Sequence, residues 1–319
     1  MFDVNVDETI RSLFQPNKKC IINADLDGVL SGMLLQEFLG WEVIGYSSCC
    51  GRPNDELWIM KNVINFDDCV FVDLPVYVPN ISVIDQHFVA FEEDSIAKYN
   101  MPGNKVNPNV IRNRLFKDKS GRNQYTGKYP FGTVHFVLAV LENLGLIDRN
   151  YIINFKKRLG EFDLADLILR ADRVIGNTYQ YTPNCFDWSD WIMEIGGSNT
   201  KTLFSLVKNE YKERKAKEPF VEFKLKSFGC AGSDGDCSNL FRNKDYSSIQ
   251  TYFEYLSDSL EMNPLPVFVV RDFGKLHGRR FEINNYNLSV IKNETMKDNV
   301  FSFAFVMMRT LSLTYIDKE

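Results

Sequence analysis

The sequence predicts an α/β fold: a parallel sheet with helices on both faces, followed by a second, smaller α+β domain. Two observations lead there. Short apolar runs alternate with segments of helical periodicity in the first half of the chain, and several of those runs end at an aspartate. The last third changes character, with β-like runs set around one helical segment.

The elements follow in order. From Lys19, KCIINADLDG is a short apolar run closing in acidic and glycine residues, and VLSGMLLQEFLG continues with apolar residues at helical spacing. This reads as strand, loop, helix. WEVIGYSS predicts a second strand, CVFVDLP a third and ISVIDQH a fourth, the last two again ending at an aspartate. A polar, basic loop, KVNPNVIRNRLFKDKSGRNQYTGKYP, comes next, before the helix pattern FGTVHFVLAVLENLGL. RLGEFDLADLILRADRVIG predicts a further helix that closes a first domain over residues 1–198. NTKTLFSLVKNEYKERKAK is rich in Lys with sparse apolar positions, as a solvated connecting helix over 199–218 would be. Residues 219–319 then form the smaller domain: β-like VEFKLKSF, PVFVVRDF and RRFEINNYNLSVI, a helix at SSIQTYFEYLSDSL, and the apolar VFSFAFVMMRTLSLTYI.

Composition fits this and sets limits. With 319 residues, 45% apolar and 25% charged, the chain has room for a sizeable core. A net charge of −5 excludes a protein that is basic all over while allowing a local basic patch. The opening MFDVNVDETIRSLF has the wrong charge order for a secretory or transit peptide, and no apolar run approaches the roughly 18 residues of a membrane span. Seven cysteines, adjacent Cys49 and Cys50 among them, lack any CxxC pair and point to reduced thiols. The expectation is a cytoplasmic protein with no membrane partner.

Ligands of parallel sheets bind beyond the carboxyl ends of the strands, where Asp25, Asp27, Asp73 and Asp85 all fall. Carboxylates sharing one rim repel, so they need protons or cations between them. Divalent metal is the expected answer: hard oxygen donors suit Mg²⁺ or Mn²⁺, and His87 tilts the choice towards Mn²⁺. Two such ions about 3.5–4 Å apart would support in-line displacement at phosphorus.

Asp25-Leu26-Asp27-Gly28, Val72-Asp73 and Ile84-Asp85-Gln86-His87 resemble, in order and context, the first three motifs of the DHH phosphoesterases. Asn107-Pro108, Tyr129 to Phe131 and Gly132 are similar to the stretch that RecJ-type exonucleases carry next, and FDLADLILRAD matches the spacing of their fourth motif. The resemblance covers roughly residues 20 to 175. It implies a catalytic set of Asp25, Asp27, Asp73, Asp85 and His87 and two Mn²⁺ or Mg²⁺ ions. Asp73 would bridge them, Asp25 would bind one, Asp27 and Asp172 the other, and His87 would sit beside the substrate phosphate. Gln86 stands where the family's first histidine, usually a metal ligand, is expected; an amide oxygen is a poorer ligand than imidazole for Mn²⁺.

Around this centre, Arg112, Arg114 and Lys117 in the basic loop read either as contacts to a nucleic-acid backbone or as a solvated charge run. Arg279 and Arg280 pose the same choice in a basic hairpin. Asp163 and Asp166 read as solvated or capping residues, His135 as a core residue, and SFGCAGSDGDCSN as a surface loop in preference to one whose amides hold a phosphate. The function expected first is a nuclease acting from an end of single-stranded DNA or RNA. A phosphodiesterase of short oligonucleotides or cyclic nucleotides comes second, and a binding protein impaired by Gln86 third.

Overall fold

The computed structural model describes residues 4–48, 56–60, 69–91, 93–99, 103–116, 125–147, 151, 154–176, 182–231, 234–267, 270–272, 276–283, 288–295, 297, 299–307 and 310–316. Five strands run parallel at the heart of the main sheet: β1 Lys19–Asn23, β2 Glu42–Ser47, β4 Cys69–Val72, β5 Ser82–Ile84 and β6 Lys105–Val106. With β3 Leu57–Met60 and β7 Val270–Asp272, each antiparallel to its neighbour, they make a seven-stranded mixed sheet of order β6-β5-β4-β1-β2-β3-β7. From β1 the chain passes first to β2 on one side, and β4 then pairs on the other. The crevice beyond β1 and β4 is therefore the topological switch point, the place where such sheets bind ligands.

Strand periodicity divides the core. Cys20 and Ile22 of β1 face a helical layer built on α2 Leu26–Leu39 and α5 Thr133–Asn143, through Leu30, Leu34, Val134 and Leu138. Ile21, between them, faces the other side with Ile44, Phe71 and Val83, where Leu276 and Phe301 meet it. Those two residues belong to a separate antiparallel sheet, β8 Leu276–Glu282, β9 Val300–Met307 and β10 Thr310–Ile316, of order β8-β10-β9. Helices therefore cover one face and a second sheet contributes to the other, in place of helices on both. The C-terminal strands carry aromatic residues of their own, and Phe303 and Phe305 pack on Tyr77, Phe88 and Phe91.

The α/β class and the strands at KCIIN, EVIGYS, CVFV and SVI are present. Three expectations are corrected. VEFKLKSF is not a strand but the end of a helix, Tyr211–Ser227, whose Val221 and Leu225 are buried four residues apart. The expected connecting helix over 199–218 is two helices, Ser198–Asn209 and Tyr211–Ser227, broken at Glu210. RLGEFDLADLILRADRVIG is not one helix either: a five-residue helix at Leu164–Ile168 is followed by a 3-10 turn at Ala171–Arg173, where Asp172 has φ 49°.

Residues on both sides of the expected boundary at 198–219 share one core. Leu240, Ile249, Phe253 and Leu256 lie in the same cluster as Leu26, Leu30 and Trp41. Among the described residues no helix is long and apolar enough to cross a membrane.

Candidate metal centre

The centre starts where β1 ends. Asp25 caps α2 in extended conformation, accepting a hydrogen bond from the Gly28 amide at 3.0 Å, and this turns the chain so that Asp27 enters the first helical turn. Gly28 is required by space alone: a Cβ there would lie 2.3 Å from the Asn23 carbonyl oxygen. Asn23, two residues before Asp25 and on the same face of the chain, donates to Asp25 Oδ2 at 2.7 Å and to Asp73 Oδ2 at 3.2 Å. Asp27 reaches across to α5 and accepts from the amides of Thr133 and Val134 at 2.7 and 2.8 Å. Its carboxylate sits on a helix N-terminus, where the aligned peptide dipoles favour negative charge. Gly132 leaves the room, since a Cβ there would stand 2.7 Å from both Asp27 oxygens.

Beyond β4, Asp73 is fully buried with φ 59°, a left-handed conformation that costs energy in a residue other than glycine and clusters at functional sites. Its Oδ1 accepts from Thr133 Oγ1 at 2.8 Å and lies 3.1 Å from His87 Nε2. Beyond β5, Asp85 shapes the loop: it takes the amides of His87 and Phe88 at 3.0 and 2.9 Å and Asn107 Nδ2 at 3.3 Å. Those donors let Asp85 shape the loop that carries His87. Asn109 secures the next residue, donating to the Gln86 carbonyl at 2.8 Å. The Gln86 side chain donates to Asp172 Oδ2, and its Nε2 lies 3.0 Å from His87 Nδ1.

Asp25, Asp27, Asp73 and Asp172 thus meet His87 and Gln86 at one rim. Within it, Asp27, His87 and Asp172, and likewise Asp73, Asp85 and His87, offer ligand atoms within 4.8 Å of one another, so the buried acid and imidazole groups could hold a metal ion. The electrostatics agree. Burial, then the charge of Asp27, raises Asp25 well above the usual carboxylate range; burial, then Asp73 and Asp172, does the same to Asp27. Asp73 is pushed up to about 7 by burial and then by Asp25. Burial also raises Asp172, against the opposing charges of His87 and Lys128. For His87, burial works against the charged form, yet Asp73 and Asp172 prevail and hold it protonated well above its ordinary range. Carboxylates raised by burial and by one another show that their negative charges are hard to hold together without a counter-charge. A hard divalent cation fits that donor set.

Other expected residues lie elsewhere. Arg112 and Arg114 are bound to Asp187, at 3.0 and 2.9 Å, and stack on Trp188. Arg279 and Arg280 are exposed on β8, with the Arg279 guanidinium over the Phe281 ring at 4.7 Å. Among the described residues neither joins the hydrogen bonds of the centre. Lys117, Cys49 and Cys50 lie outside the described residues. Asp163 and Asp166 cap each other's amides and pair with the buried Arg214. His135 is a core residue whose Nδ1 accepts from the Gly132 amide at 3.1 Å.

The surface loop expected at SFGCAGSDGDCSN is in part an inner support. The Leu26 amide donates to the Asp234 carbonyl at 3.0 Å, and the Cys237 amide donates to the Ala24 carbonyl at 2.8 Å. Sequence reasoning missed Asn23 and Thr133, and read Lys128 only as one of the basic-loop charges, without placing it beside Asp172. Asn23 had a signal, a polar residue two places before Asp25 at the end of an apolar strand. Searches of protein-family models, of curated proteins and of solved structures find no match to this chain.

Proposed function

We propose that the protein is a metal-dependent phosphodiesterase that hydrolyses single-stranded nucleic acid from an end by a two-metal mechanism. The convergence of Asp25, Asp27, Asp73 and Asp172 with a protonated His87 at the switch point of the sheet carries this reading. Asp25 and Asp73 would hold one divalent ion, and Asp27, Asp73 and Asp172 the other, Mn²⁺ or Mg²⁺. When bound, these ions supply Lewis-acid activation of the phosphate and a nucleophilic water at neutral pH.

The chain's own groups do the positioning. Asn23 and Thr133 fix both oxygens of Asp73, so the carboxylate cannot rotate as charge shifts around it. Helix α5 holds Asp27 through two amides, and Asp85 orients His87 through the backbone. His87, kept charged by Asp73 and Asp172, offers a proton donor to a phosphate oxygen and stabilises the charge that grows there. Gln86 favours a second reading, a binding protein with weakened turnover, because its amide nitrogen donates to Asp172 in the position of a ligand.

Hydrolysis of end-labelled single strands, a dinucleotide and a cyclic dinucleotide, each with Mn²⁺, Mg²⁺ or EDTA, tests both. Metal-dependent cleavage is expected, abolished by Asp73→Ala and preserved or raised in Mn²⁺ by Gln86→His. Unchanged turnover in Asp73→Ala would sink the two-metal reading. Tight binding without cleavage in either metal, restored by Gln86→His, would establish the second.

A further inference from the structure

Arg112 and Arg114 follow the short helix Pro108–Ile111 and converge on a single carboxylate. Arg112 makes a two-pronged contact to Asp187, Nη1 to Oδ2 at 3.0 Å and Nη2 to Oδ1 at 3.3 Å, while Arg114 Nη2 reaches Oδ2 at 2.9 Å. Two guanidiniums share one negative charge, so the cluster is short of an anion. Arg114 shows the shortage twice: among the described residues its Nε is buried without a hydrogen-bond partner, and burial and the adjacent Arg112 lower its affinity for its proton.

The cluster is also built and not merely crowded. Both guanidiniums lie over the Trp188 indole, 4.5 and 5.4 Å from its centroid, and that indole is fixed by donating to the Gly127 carbonyl at 3.1 Å. A rigid fork of this kind matches a phosphate better than it matches a carboxylate already divided between two partners.

Its place in the fold ties it to the metal centre. The Arg114 amide donates to the Asn109 carbonyl at 2.7 Å. The Asn109 side chain in turn holds the Gln86 carbonyl and accepts from the Tyr129 amide at 2.7 Å, beside Lys128, whose charge Asp172 and Asp85 feel. Asp187 itself is half exposed, and exposed ion pairs contribute little net stability, so its displacement costs little.

We infer that Arg112 and Arg114 on the face of Trp188 form a subsite for a second, non-scissile phosphate of a nucleotide strand, which Asp187 occupies until the strand displaces it. The inference rests on the phosphodiesterase reading for its substrate class. It adds a preference: a strand with several phosphates gains a contact that a dinucleotide, with one, does not.

The test is fluorescence anisotropy in EDTA, where no turnover occurs, with a labelled pentathymidylate and a labelled dithymidylate. Asp187→Asn removes the resident competitor and is expected to tighten pentathymidylate binding about tenfold, with little change for dithymidylate. Asp190→Asn, the same charge change on the same helix, is expected to leave that preference where it was. Arg114→Gln and Arg112→Lys are expected to weaken the longer strand, and Arg114→Gln to flatten its salt dependence by about 0.7 in log–log slope, one phosphate contact. Equal tightening by Asp187→Asn and Asp190→Asn, or weaker binding in Asp187→Asn, would overturn the subsite. If the Asp187→Asn gain holds while no substrate is cleaved in any metal, the subsite stands and the hydrolytic reading falls; cleavage without that gain gives the reverse.

Discussion

At the scale of the residue, Asp73 holds most of the chemistry in one side chain: full burial, a left-handed backbone, and hydrogen-bonding neighbours on both carboxylate oxygens. A carboxylate pushed up to about 7 is one that the folded chain pays to ionise. Asp73→Asn keeps the shape and removes the charge, so in EDTA at pH 8 the variant is expected to be more stable than the natural protein by about 1–3 kcal/mol. If Asp73 is a metal ligand as proposed, Mn²⁺ is expected to reverse the order, because only the natural protein would gain from the ion; thermal unfolding with and without metal measures both. A variant less stable in EDTA would mean that Asp73 is held by contacts and not strained by charge. The aspartates could be read in the sequence because short apolar runs end on them and DLDG demands a turn. Thr133 could not, since its partner Asp73 is 60 residues away and nothing local marks it.

At the scale of the element, α5 shows how a helix end serves the centre. Its first amides grip Asp27, and His135 folds back to accept from the Gly132 amide. Burial lowers His135 from its usual 6.5 to about 4. Between those values the unfolded chain binds the proton and the folded chain does not, so stability falls as pH drops through that window and is level above it. The loss approaches about 3 kcal/mol by pH 4. His135→Gln, which keeps an acceptor but cannot titrate, is expected to flatten urea-derived stability between pH 7 and 4.5; an unchanged slope would assign the acid sensitivity elsewhere. Elements also show where sequence patterns mislead. VEFKLKSF alternates like a strand, but Val221 and Leu225 are also one helical turn apart and Phe223, between them, is 76% exposed. Over so few residues the two periods overlap, and packing decides.

At the scale of the whole molecule, alternating strands and helices made the parallel sheet and its carboxyl-end rim readable, while the long-range closures were not. β7 adds itself to β3 from more than two hundred residues along the chain, and the second sheet meets the face where a helix layer was expected. Both depend on contacts that no local window contains. The shared core makes a strong claim about integrity: a fragment ending at residue 198 loses Leu240, Ile249, Phe253 and Leu256 from the cluster that holds Leu26 and Leu30 of α2. Circular dichroism of that fragment is expected to show no cooperative thermal transition, whereas a sharp one would mark the first part as an independent folding unit. The support that residues 234–237 give to the DLDG loop has a temporal side. Cys237, which bonds the Ala24 carbonyl, lies 213 residues further along the chain, so a ribosome releases the aspartates well before it releases their brace. The loop that carries Asp25 and Asp27 therefore gains this brace late in translation, after most of the chain has been made.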